Sequence, residues 1–544
     1  MRKKIKEKEI KGIYGIAILL FLAFLFVPVV VLFQQSLEGK TGFSLAHYGA
    51  MLTQKGFGLA VRHSLEVSIV SAILATLLAF LLAYTVHYTN APGGYKKFIR
   101  LAAQLPMLLP TITYGFAIIY SFGNQGLITK LLGFQSFNLY GFNGLLIGYV
   151  IYTLPVAFTL IKNTMRYMDK KQLIVSRIMG DNGITRFVHI IFIPLIGTLA
   201  IAFIQTFFLS FTDFGIPAAI GGQYDVIAST LYNQMLGSIP NFSNGAVVAV
   251  VMLLPSIAAI FIINYLEKFN VKYDKITDID LPKNKLKDTI FTLISGLFIL
   301  AILSIFAVIF ILPFIKEWPY MIEFTLDHVL ETFHSSNLIQ VLKNSFFVSI
   351  LTAIIGTIVC FVAAMITARG KMPAWIVKSI DLVSTLSNAL PGMVIGIGFL
   401  FAFSGTSLQN TFTIIILSNI IHFFSTPYMM IKNAFLKMND SWETTAKLLG
   451  DSWFQTLRRV MIPNSLSTIF EMIGYYFING MVTISAIIFL VGSRTAVVTT
   501  KIKELQHFAK FSDIFVLSIV IFLANLLMKC LMNYLDKKVG KRYE

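Results

Sequence analysis

The residues able to do chemistry in this chain are few, and most of them stand inside apolar runs. Gln104, Gln205, Asp381, Asn388, Asn419, His422, Glu471 and Asn479 interrupt segments built mainly of Leu, Ile, Val and Phe. A polar group in such surroundings is costly unless it faces protein or water. Each therefore bonds to a neighbouring helix or lines a wet path; Gln205, Asn388 and Asn479 are the candidates for a path. Pro110 and Pro391 join them, because each would free backbone carbonyls near mid-span, and freed carbonyls must be buried or line a cavity. No paired acid and base, nucleophile triad or metal-ligand cluster accompanies these groups, and the 8 histidines are scattered. There is no G-x-x-x-x-G-K-[ST] phosphate loop. The chemistry on offer is recognition and passage.

A second set of polar residues occurs twice. "SRIMGDNGITRFVHIIFIP" runs from Ser176 to Pro194, and "AKLLGDSWFQTLRRVMIP" runs from Ala446 to Pro463. The later copy has helix-start chemistry, with Asp440 or Ser441 as cap and Glu443 in the first turn. Gly450 fits a helix C-terminus, where a left-handed residue costs least as glycine. Asp451 or Ser452 can then cap a second helix that enters the membrane near Pro463. The expected object is a short helix, a sharp turn and a re-entering helix. One copy alone is equally well an interfacial anchor. Two copies, with Gly180-Asp181 matching Gly450-Asp451, point to a docking element shown to a two-fold partner.

The elements that must position these residues are membrane helices. The chain has 544 residues, 56% hydrophobic and 13% charged. Apolar runs of about 20 residues, the length that crosses a bilayer as a helix, recur near 13–33, 64–87, 98–122, 141–162, 188–212, 244–265, 290–315, 345–368, 378–403, 411–431, 464–491 and 513–534. The fold class is all-α, a polytopic membrane protein of about twelve transmembrane helices. A β-barrel would show short alternating strands. The first run lacks a cleavage site and reads as an uncleaved span. Cys360 and Cys530 fall in apolar runs and read as buried small hydrophobes.

Charge sets the orientation. The loops after even-numbered spans are rich in Lys and Arg, whereas the fifth loop, around Gln223, and the ninth, "SGTSLQN", have none. Both termini are therefore expected in the cytoplasm. The eleventh loop, with Arg494, Lys501, Lys503 and Lys510, dissents. Topology accounts for most of the net charge of +18, and nucleic-acid binding is not required. Asp213 and Asp225 are expected in a solvated outer loop. The polar stretch from Leu266 to Asp288 reads as a cytoplasmic linker.

The two sides of that linker are parallel repeats. "HSLEVSIVSAILATLLAF" from His63 matches "NSFFVSILTAIIGTIVCF" from Asn344, and at the same spacing Pro110 and Gly115 match Pro391 and Gly396. "IKN" at Ile161 recurs at Ile431. The expected domains are 1–265 and 290–544, six spans each, with 266–289 between them.

The duplicated segment resembles a cytoplasmic motif of type I ABC importer permeases, E-A-A-x3-G-x9-I-x-L-P. Ala446, Gly450 and Pro463 fall on its second Ala, Gly and Pro, with Thr444 and Thr445 in place of the Glu and first Ala. The first copy keeps Gly180 and Asp181 but lacks the Glu and Ala residues, and its Pro194 comes one residue late. The resemblance covers nearly the whole chain. It implies that each elbow is a helix seated in a groove of a cytoplasmic ATPase. It implies two such ATPase subunits carrying the ATP, with no cofactor on this chain. It further implies an extracytoplasmic substrate-binding protein, and a bacterial cytoplasmic membrane with multiple passes. Two motifs in one chain imply two fused permease subunits, similar to the ferric-iron, thiamine and 2-aminoethylphosphonate importers, with non-equivalent elbows. The cargo would be a small polar solute, of the ferric or phosphonate type. The rival reading is an ion-coupled secondary transporter with twelve spans, which would need working intramembrane carboxylates.

Overall fold

The computed structural model describes residues 20–39, 42–134, 138–266, 268, 284–370, 373–439 and 441–543. In the first part of the chain α1 (Val27–Ser36) precedes α2 (Lys55–Tyr88), α3 (Gly93–Ala102), α4 (Thr111–Phe122) and α5 (Phe142–Tyr167). Then come α6 (Lys171–Ile178), α7 (Gly183–Thr212), α8 (Gly215–Ile220) and α9 (Phe242–Leu266). The second part opens with α10 (Lys285–Phe314), α11 (Ser336–Arg369), α12 (Ala374–Ala389), α13 (Gly392–Phe403), α14 (Phe412–His422) and α15 (Ser425–Lys437). It closes with α16 (Ser441–Leu448), α17 (Trp453–Thr456), α18 (Leu466–Val482), α19 (Val498–His507) and α20 (Phe511–Tyr543). Two short antiparallel strand pairs sit in loops, Glu38–Gly39 with Gly42–Phe43 and Ile315–Glu317 with Met321–Phe324.

Among the described residues, 7 helices are long and apolar enough to cross a membrane, or 9 spans if two bent pairs each count once. Those pairs are α12 with α13, bent by 108°, and α14 with α15, bent by 56°. The other three of the twelve expected spans are shorter. The first is α1 and the turn before it, with 13–19 outside the described residues. The third is divided into α3, a 3-10 turn at Leu105–Leu108 and α4. The eleventh helix stops at Val482 and does not run on to 491.

Proline explains the matched breaks. Pro110 and Pro391 cap α4 and α13 with φ −62° and −57°. Proline has no N–H to donate and disfavours helix in the residue before it. Leu109 and Leu390 are accordingly extended, with ψ 149° and 120°. The result is a full break in each repeat. The linker expected at 266–289 falls mostly on residues outside the described ones, and its end is already helical, since α10 starts at Lys285.

The repeat is visible in the packing. α2 lies along α5 and α7, and α11 lies along α15 and α18. Small residues make these approaches possible. Ser68, Ala72, Ala75 and Ala79 form one buried stripe on α2, and Ser349, Ala353, Gly356 and Cys360 form its counterpart on α11. A methyl group built on Gly356 would stand 2.7 Å from the Tyr476 ring. The two parts also exchange helices. α1 packs on α13, and α10 packs on α4, the matching helix of the other repeat. Cys360 is buried as expected, within 3.2 Å of the Tyr476 hydroxyl. Cys530 is exposed, because an apolar run in a bilayer protein also supplies the lipid-facing surface.

Candidate functional site: two elbows and a central cavity

Both duplicated segments fold as a helix, a glycine turn and a second helix. α6 and α16 end in Gly180 and Gly450, each with φ +87°. The following amide reaches back over the glycine, from Asp181 to the Ser176 carbonyl at 3.1 Å and from Asp451 to the Ala446 carbonyl at 3.0 Å. This six-to-one bond closes a helix end. In the second elbow the Leu449 amide also bonds to the Thr445 carbonyl at 2.9 Å. Thr444 and Thr445 lie on α16, and Glu443 is in its first turn as expected.

The caps follow expectation at Ser452 and differ at the first helix. Asp440 lies outside the described residues, and Ser441 is already helical, its amide donating to Asn439 Oδ1 at 2.9 Å. Ser452, not Asp451, caps α17. The Gln455 amide donates to its Oγ at 3.3 Å, and the Ser452 amide donates to Gln455 Oε1 at 2.6 Å, a reciprocal box. In the first elbow Asn182 plays that part, accepting from the Thr185 amide at 2.7 Å. The aspartates hold the turns instead. Asp181 accepts from Ser176 Oγ at 2.5 Å, and Asp451 pairs with Arg459 at 2.8 Å.

A π-helical turn precedes the proline in both copies, Phe187–Phe192 before Pro194 and Leu457–Met461 before Pro463. Proline removes the donor of the ordinary helical bond, and a wider turn re-aims the chain. The tips are apolar and uncovered. Ile178 and Met179 are 80% and 77% exposed, and Leu448 and Leu449 at the matching places are 83% and 80% exposed. Each elbow thus presents two greasy side chains beside a sharp turn.

The second feature is a cavity of about 370 Å³ where the broken helices meet. Gln205, Asn388 and Asn479 all line it. The rings of Pro110 and Pro391 are not among its lining. They act one step back, by ending the helices so that Leu109 and Ala389 border the space. Of the other polar groups inside apolar runs, His422 lines the cavity. Asn419 is fully buried in α14, and Glu471 is exposed on α18. Asp381 pairs with Lys432, and Gln104 accepts from Lys529 at 3.2 Å.

Asp213 corrects its expected place. It is buried, borders the cavity, and accepts from the Ile216 amide at 2.9 Å, capping α8. Tyr152, Thr426, Tyr475 and Thr483 also line the space without having been singled out. The repeat held the signal. His422 and Tyr152 stand apart by the same spacing as Gly450 and Gly180, as do Tyr475 and Gln205, and Thr483 and Asp213.

The dissenting eleventh loop has a local account. Lys501 pairs with Glu504 at 2.7 Å. Lys503 donates to the Ala218 carbonyl of α8 at 3.2 Å, where burial lowers its pKa below the usual lysine value. Gln506 donates to the same carbonyl at 3.0 Å. Lys503 and Gln506 thus clasp α19 to the first repeat.

Residues 360–541, which include the second elbow and much of the cavity wall, match the family described as binding-protein-dependent transport system inner membrane component. This part of the chain is similar to that family. The chain is 27% identical over 419 residues to a protein named as a ferric transport system permease in Haemophilus influenzae, covering 73% of this chain and 65% of that one. It is 26% identical over 424 residues to the ferric transport system permease of Actinobacillus pleuropneumoniae, covering 74% and 60%. The match thus spans less than two thirds of either relative. Among solved structures, a bacterial ABC transporter involved in import of alginate is 16% identical, covering 47% of this chain and 96% of that one with a TM-score of 0.39.

Proposed function

We propose that this permease forms the membrane path of an ATP-driven importer, with two permease units, 1–265 and 290–544, in one chain joined by 266–289. The carrying observation is the pair of elbows, each with a left-handed glycine and an uncovered apolar tip, built alike at matched places. Two cytoplasmic ATPase subunits seat Gly180, Asp181 and Pro194 on one side and Thr444, Thr445, Ala446, Gly450, Asp451 and Pro463 on the other. An extracytoplasmic binding protein delivers cargo to the opposite face. The chain sits in the bacterial cytoplasmic membrane with both termini inside, and ATP is bound on the partner.

Cargo passes Gln205, Asn388 and Asn479, beside the breaks at Pro110 and Pro391. The lining holds no Lys or Arg and one carboxylate, Asp213. That balance suits a cation or a neutral solute better than a phosphonate, and the names of the two relatives support ferric iron. The rival ion-coupled mechanism gains little support, since Glu471 and Asp381 are absent from the cavity lining.

The test is uptake of radiolabelled ferric iron in cells that express the permease together with the ATPase and binding protein proposed as its partners. Uptake should stop when the ATPase loses its phosphate-loop lysine. Iron uptake that survives this change would overturn the ATP-driven reading, and uptake of a labelled phosphonate in place of iron would overturn the cargo.

A further inference from the structure

Arg369 ends α11, with its side chain only 7% exposed. Its guanidinium donates to the carbonyls of Phe435 and Met438 at the end of α15. It also lies 3.6 Å from Glu443 Oε1, in the first turn of the second elbow. One turn back on α15, Lys432 pairs with Asp381 of α12, and the Tyr428 hydroxyl donates to the same carboxylate oxygen at 2.7 Å. Asp381 and Asn388 are separated by two helical turns on one face, and Asn388 lines the cavity. Polar contacts and two helix segments therefore run without interruption from the second elbow to the cavity.

The first repeat carries different residues at the matching places. At the repeat spacing, Tyr88 stands where Arg369 does, Leu173 where Glu443 does, Phe158 where Tyr428 does, and Arg100 where Asp381 does. The Tyr88 hydroxyl contacts Met168 Sδ at 3.7 Å, and Met168 matches Met438. Lys162, the match of Lys432, lies 5.6 Å over the Phe158 ring. None of these six positions carries a carboxylate. The charge-assisted bonds of the first elbow, Ser176 to Asp181 and Arg186 to the Asp181 carbonyl, stay within the elbow, whereas those of Arg369 tie the ends of α11 and α15 and lie beside Glu443 of the second.

We propose that Arg369 is a positioning residue that transmits movement of the second elbow to the cavity, so that the two elbows drive the permease unequally. The inference rests on the reading that the elbows seat ATPases. Lysine cannot replace Arg369 in this role, because a single ammonium lacks the planar fork that reaches two carbonyls and a carboxylate together.

The experiment uses the full complex of permease, ATPase and binding protein in lipid nanodiscs and in proteoliposomes. ATP hydrolysis and cargo uptake are measured together for Arg369→Lys, Glu443→Gln and the double variant, with Tyr88→Phe as the first-repeat control. Arg369→Lys should keep its ATPase and its melting temperature while uptake per ATP falls at least about fivefold, the low end of a coupling free energy between sites. The double variant should be no worse than the poorer single, as members of one contact are non-additive. Tyr88→Phe should keep the wild-type ratio. An unchanged ratio in Arg369→Lys, additive losses in the double variant, or an equal loss in Tyr88→Phe overturns the inference. A wild-type permease that recruits no ATPase overturns the elbow reading itself, which is a different result.

Discussion

Gly180 and Gly450 share one backbone conformation, φ +87° in both, although the helices leading into them have almost no residues in common. Nothing lies within 4 Å of where a Cβ would sit at either position. The glycines are therefore required by the turn and not by crowding. Two unlike sequences thus hold one turn geometry within one chain.

That distinction yields a test at the second elbow. Gly450→Val should strain the turn by roughly 1–3 kcal/mol, since a β-branched residue is a poor occupant of the left-handed region. ATPase association should weaken or hydrolysis should run without uptake, while the membrane helices remain folded. Gly450→Asn should be much milder, because asparagine visits this conformation. Gly180→Val should do less harm than Gly450→Val, as the second elbow alone carries the charged link through Arg369. Full ATPase binding and full uptake in Gly450→Val would falsify the docking role.

Crowding decides at a different pair. A Cβ on Gly115 would stand 2.4 Å from Ala219 Cβ, and one on Gly396 would stand 2.6 Å from the Ala486 carbonyl oxygen. Both glycines let the segment after the fifth span of each repeat pack onto the helix that follows the proline break. Gly115→Ala and Gly396→Ala should each destabilise the protein by about 1–3 kcal/mol through overpacking. Thermal unfolding in detergent would register this as a lower midpoint; an unaltered midpoint in both would show that these contacts are looser than the distances say.

Orientation has its own measurement. Single cysteines replacing Lys275 and Gln223, in a background lacking Cys360 and Cys530, should label differently with an impermeant thiol reagent in intact cells. Gln223 should react and Lys275 should not, because basic loops stay inside. The reverse pattern would place both termini outside and remove the elbows from any cytoplasmic ATPase.

Much of this architecture was legible because it is periodic or punctuated. Long apolar runs announced helices, Pro110 and Pro391 announced breaks, and the repeated Gly-Asp announced the elbow turns. Other features depended on long-range packing. Nothing local marks Asp213 as buried, since a carboxylate after an apolar helix reads as the start of a wet loop; only α8 folding back onto its cap removes it from solvent. Val482 ends its helix inside a run that stays apolar through Leu490, so hydropathy continued the span where the chain had turned. Arg369 looked like one more charge in a basic loop, because its partners lie 66 to 74 positions further along.

The last prediction separates nucleotide drive from ion drive. Glu471 is exposed on α18, and Asp381 is engaged by Lys432 and Tyr428, so neither is placed to carry a proton through the cavity. Glu471→Gln should leave uptake near the wild-type rate. Asp381→Asn keeps the shape of the Tyr428 contact but loses the charge facing Lys432. A partly exposed pair of this kind contributes roughly 0–1 kcal/mol, so uptake should fall by less than about tenfold. The decisive comparison holds ATP constant while the proton gradient is collapsed with an uncoupler in proteoliposomes. Uptake by the wild type and by both variants should persist. If it vanishes with the gradient, and if either neutral variant has already lost it with folding intact, the carboxylates carry the driving ion and the elbows are anchors rather than ATPase seats.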